Sequence, residues 1–160
     1  MSVYNSRQNM SEGIRTLLVA AVAFGAGFSF QSIRTAAIPT SSPERLVAEL
    51  RLAQIAALLL TLSAGAYLGF AASHETRTGV GIDIALAAGF FVLAAYTVTC
   101  DPRQALTLLA IGFGAHALID IAHRPGMLPE GMVPDWYSVG CASFDVLIGA
   151  LCYFPILRRS

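Results

Sequence analysis

Apolar residues run in five long stretches, separated by short clusters of polar residues, prolines and glycines. A membrane-spanning helix needs about 20 mostly apolar residues. The stretches at about 13–30, 52–73, 79–99, 103–123 and 136–157 qualify. The first has Arg7 and Arg15 before it and Thr35-Ala36-Ala37 after it, an outline shared with signal peptides. Arg34, just before that small-residue site, argues for a retained helix instead.

The polar clusters mark helix ends. Ser41-Ser42-Pro43-Glu44 reads as a capping box with an early proline, so the second helix starts ahead of its apolar core. Its polar extension places Arg45 and Glu49 four apart, the spacing of an ion pair on one face. Cys100-Asp101-Pro102 closes the third stretch and caps the fourth, with Gln104 completing the box. Arg124-Pro125-Gly126 stops the fourth, because proline and the residue before it leave the helical region. Trp136 and Tyr137 suit an aromatic belt at the membrane interface, and Arg158 and Arg159 anchor the far end of the last span.

Composition agrees with this pattern. Hydrophobic residues make up 56% of the 160 positions and charged residues only 12%, with 14 glycines besides. Soluble domains carry about 25% charge, and a domain this small cannot hide so much apolar surface from water. Disorder requires the opposite composition. The expected fold is all-α: a single-domain, polytopic integral membrane bundle of five transmembrane helices, with the lipid bilayer as its main partner. Zero net charge gives no general attraction to nucleic acid. Cys100, Cys141 and Cys152 form no CxxC pair, and Cys141 and Cys152 read as small packing residues inside the last span.

Five spans put the termini on opposite sides. The N-terminal side carries Arg7, Arg15, Arg77 and Arg124. The other carries Arg34, Arg45, Arg51, Arg103, Arg158 and Arg159. The excess of arginine on the second side predicts an outside N-terminus and a cytoplasmic C-terminus. Acids and histidines are far less even. His74, Glu75, Glu130 and Asp135 fall in loops on the N-terminal side, and Asp83, His116, Asp120 and His123 fall at the span ends nearest to it.

The tight turn at Asp101-Pro102 acts as a ruler. Asp83 lies 18 residues before Asp101 and Asp120 lies 19 after it, which puts both at one membrane level. His116, Asp120 and His123 follow an i, i+4, i+7 spacing and share one helical face. Cys141 and Asp145 form a second polar stripe, with Ser138, Gly149 and Cys152 near the same face. Asp145 is the deepest carboxylate. A charge near the bilayer centre costs at least about 2.5–3.5 kcal/mol, so Asp145 needs a histidine, a hydroxyl, a bound cation or a proton. Imidazole nitrogen and carboxylate oxygen ligate Zn, Fe or Mn. The expected ligands are His116, Asp120, Asp83 and Asp145, with His123 as an outer one. HExxH and the Glu-x-x-His pairs of di-iron bundles are absent.

Gly65 and Gly69 form a GxxxG pair, a spacing that lets helix backbones approach within a bundle, in a homo-oligomer or in a larger complex. Three functions fit the pattern. The leading one is a metal-binding membrane protein, with catalysis on a lipid-like or small substrate as an extension. The others are an accessory subunit of a larger energy-converting membrane complex and a proton- or ion-coupled carrier.

Overall fold

Pro39 is the first helix breaker in the chain, and the first helix runs up to it. The computed structural model describes residues 2–73, 80–123 and 135–158. They form five helices: α1 (Ser2–Ala37), α2 (Pro43–Ser73), α3 (Val80–Thr97), α4 (Pro102–Ala122) and α5 (Asp135–Leu157). No strand occurs among the described residues. His74, Glu75, Arg77, Arg124, Glu130 and Arg159 lie outside them.

The capping signals act largely as read. Pro43 opens α2, and the Ser42 hydroxyl, rather than that of Ser41, accepts from the Glu44 N–H at 3.2 Å. Asp101 accepts from the N–H groups of Arg103 and Gln104 at 3.1 Å each, with Pro102 as the first residue of α4. α1 extends beyond the expected 13–30 in both directions. α3 ends at Thr97, where Thr99 and Cys100 turn back on the carbonyls of Tyr96 and Thr97.

Four helices are long and apolar enough to cross a membrane. α3 is apolar but has 18 residues. It rises about 27 Å, just under the hydrocarbon thickness of a bilayer. Leu18, Leu58, Val92, Leu118 and Val146, one on each helix, face outward. Such a surface suits lipid and not water.

α4 packs most extensively on α5, and α1 lies against α5 more than against α2. α3 sits on α2 and α4. The shared core holds Leu52, Leu60, Leu106, Leu109, Phe113 and Ile148, all buried. α4 and α5 approach closely at Gly149, where an added Cβ would lie 3.3 Å from the Ala110 carbonyl oxygen and the Phe113 Cβ. Gly112 is similarly crowded by Leu93 and Leu60. The GxxxG pair is elsewhere: Gly65 faces Phe91 at 4.0 Å, and Gly69 has nothing within 4 Å.

Two polar devices fasten α1. Pro155 has no N–H, so it leaves the Leu151 carbonyl of α5 without its helical donor. The buried Ser32 hydroxyl of α1 donates to that carbonyl at 2.7 Å. Ser32→Ala is therefore expected to lower stability by about 1–3 kcal/mol, read by denaturant titration in detergent. Pro155→Ala should return part of that loss in the Ser32→Ala background, by restoring the helical donor. A Ser32→Ala variant as stable as the parent would refute this account.

The second device is Arg45, only 1% exposed. Its Nη1 donates to the carbonyls of Thr35 (2.6 Å) and Ile38 (2.9 Å), and its Nη2 to that of Pro155 (2.6 Å). Carbonyls at helix C-termini lack intrahelical donors and carry partial negative charge. Arg45 thus gathers the C-terminal ends of α1 and α5. Its Nε meets Glu49 Oε1 at 2.6 Å, the pair expected from the i, i+4 spacing, and Arg103 of α4 reaches Glu49 Oε2 at 3.3 Å.

Candidate metal centre

Polar side chains from α2, α4 and α5 meet inside the half of the bundle opposite Arg45. His116 is fully buried. Its ring is held edge-on by Phe90 of α3 and Tyr67 of α2, with centroids 4.9 and 5.5 Å away. These contacts fix the plane of the ring. Nδ1 lies 2.6 Å from Asp145 Oδ2 and 3.5 Å from Asp120 Oδ2. The close approach of Nδ1 to Asp145 requires a proton between them.

Each carboxylate is oriented by α2. The Tyr67 hydroxyl donates to Asp120 Oδ1, and the Ser63 hydroxyl donates to Asp145 Oδ1 at 3.4 Å. The thiol of Cys141 lies 3.8 Å from Asp145 Oδ2. One ligand atom from each of His116, Asp120, Cys141 and Asp145 lies within 4.8 Å of all the others. Asp120 Oδ2 and His116 Nε2 have no hydrogen-bond partner among the described residues. A buried acceptor left in that state costs about 1–3 kcal/mol, more when charged.

Asp83 and His123 form a separate pair. His123 Nε2 lies 2.8 Å from Asp83 Oδ1. Its Nδ1 lies 2.8 Å from the Ile119 carbonyl, which can only accept, so Nδ1 carries a proton. One further proton is then shared between Nε2 and Asp83, and the pair is neutral overall. Tyr67 stands between the two groups, its ring centroid 5.0 Å from that of His123. The partner of Asp83 is thus His123, three residues beyond the position that the turn ruler gave.

Of the five residues expected as ligands, His116, Asp120 and Asp145 are brought together, while Asp83 and His123 stand beside them. Cys141, read as a packing residue, joins the group through its i, i+4 relation to Asp145. Ser63 and Tyr67 were not singled out by the sequence, although they too are four apart on one face of α2. Of the expected interface anchors, Tyr137 turns inward and packs edge-on against Phe70 at 4.9 Å. Trp136 is half-buried beside it. Arg158 lies over the Phe154 ring at 5.2 Å.

Comparisons with family models, with curated proteins and with solved structures gave no match, so the geometry of these side chains alone carries the functional reading.

Proposed function

We propose that this chain is an integral membrane protein that holds one divalent transition metal between α4 and α5, through His116, Asp120, Cys141 and Asp145. The convergence of four ligand atoms within 4.8 Å carries this reading. Charge supports it. A divalent cation offsets most of the charge of two buried carboxylates and a Cys141 thiolate, charge that is costly inside a bilayer when nothing opposes it. The cation takes the place of the proton between His116 and Asp145 and gives Asp120 Oδ2 a partner. A nitrogen, oxygen and sulfur donor set suits Zn or Fe better than Mn. Four protein donors fill a tetrahedral shell, as in structural zinc sites; catalysis requires one of them to yield to water or substrate.

The test is elemental analysis of the full chain purified in mild detergent without chelator. About one transition metal per chain is expected. Loading with Co(II) should give thiolate-to-metal charge-transfer absorption that Cys141→Ser removes. Protein that neither retains nor takes up metal would overturn the proposal. The packing of Tyr67 between His116 and His123 would then favour a second reading, a proton-holding network of the kind found in ion-coupled carriers.

A further inference from the structure

The last turns of α1 and the first turns of α2 enclose a groove of about 320 Å³. Gln31, Arg34 and Ile38 line one wall, and Glu44, Val47 and Arg51 the other. Gln31 and Arg34 share one face of α1, with Ile38 just past its end, and Glu44, Val47 and Arg51 share one face of α2 by their i, i+3, i+7 spacing. Arg34 and Arg51 are exposed. Neither makes an ion pair among the described residues, unlike Arg45 and Arg103 at the same end of the bundle. Glu44 contributes one negative charge, which leaves the groove a net cation. Its flanks are apolar: Phe30 and Ile33 on α1 and Leu46 and Leu50 on α2 are exposed beside it.

We propose that this groove binds the phosphate headgroup of an anionic phospholipid, with Arg34 and Arg51 on the phosphate and the acyl chains along Phe30, Ile33, Leu46 and Leu50. Basic pockets between transmembrane helices are suited to such headgroups. Arginine keeps its guanidinium at headgroup level while its stem lies along apolar surface. The apolar flanks are what selects a lipid over a free anion. The site is independent of the metal centre.

The experiment is native mass spectrometry of the purified full chain, titrated with phosphatidylglycerol or with phosphatidylcholine of the same acyl chains. Phosphatidylglycerol is expected to bind at least about tenfold more tightly. Arg34→Gln/Arg51→Gln should weaken it roughly 30-fold, two arginines acting at the surface, with helical content unchanged by circular dichroism. Arg158→Gln, outside the groove, should have no effect. Glu44→Gln should strengthen binding, a gain that no folding defect can imitate. Equal retention of the two lipids, or undiminished binding by the double variant, would overturn the proposal. Displacement of the lipid by millimolar inorganic phosphate would do so as well, since it would mark a free-anion site.

Discussion

Replacing Arg45 with Met is expected to destabilise the bundle by about 3–5 kcal/mol, the range for breaking a buried ion pair from one side. The variant keeps most of the side-chain volume but leaves Glu49 buried, with the partly exposed Arg103 as its remaining cation. It also strips a donor from the carbonyls of Thr35, Ile38 and Pro155. Arg45→Met/Glu49→Leu should recover part of the loss, because apolar replacement of a whole buried pair is often neutral. It should not recover all of it, since the three carbonyls remain unserved. Arg103→Gln should cost less than about 1 kcal/mol, as exposed partners contribute little. Denaturant titration in detergent, followed by far-ultraviolet circular dichroism, measures all three. An Arg45→Met variant within 1 kcal/mol of the parent would show that Arg45 does not tie the helix ends together.

His116→Ala should lower metal affinity by more than about 100-fold. Changes around a metal's ligands typically cost 10–100-fold, and His116 supplies the sole imidazole among the four donors. Tyr67→Phe should fall within that lower range, because it removes only the hydroxyl that orients Asp120. His123→Gln and Asp83→Asn should leave the metal stoichiometry unchanged, as both lie in the neighbouring pair. Affinity should rise with pH, since the cation displaces a proton from the His116–Asp145 contact and deprotonates Cys141. Competition titration against a chromophoric chelator at several pH values reads each of these. Loss of metal in His123→Gln equal to that in His116→Ala would shift the site toward Asp83.

The sequence made the helix ends and the polar face of α4 readable, because both are local. Asp101-Pro102 acts within one turn, and His116 and Asp120 share a face by helical spacing alone. Contacts between helices depend on how each helix is rotated about its axis. A span that is apolar all round gives little amphipathic signal to fix that rotation. Cys141 was therefore visible as part of a stripe but not as a neighbour of His116, and Tyr67 was hidden among the apolar residues of α2. The Arg45–Glu49 pair was legible as a spacing. Its burial was not, because that depends on Pro155, 110 residues away, arriving at the same point. The inward turn of Tyr137 was hidden for a related reason: its place near a span end is local, whereas its contact with Phe70 depends on how α2 and α5 are rotated.

The attachment of α1 to α5 has a consequence for biosynthesis. Ser32 and the carbonyl it serves are 119 residues apart. At translation rates of 5–20 residues per second, roughly 6–24 s separate their emergence from the ribosome. During that interval α1 must wait in the bilayer without its main docking partner. Its outward-facing Leu18, Val22, Phe30 and Ile33 equip it to do so as a solitary lipid-solvated helix. The docking of α1 is thus timed by the synthesis of α5. A nascent chain halted before α5 would hold α1 in the membrane with Ser32 unengaged and with Arg45 lacking the carbonyl of Pro155.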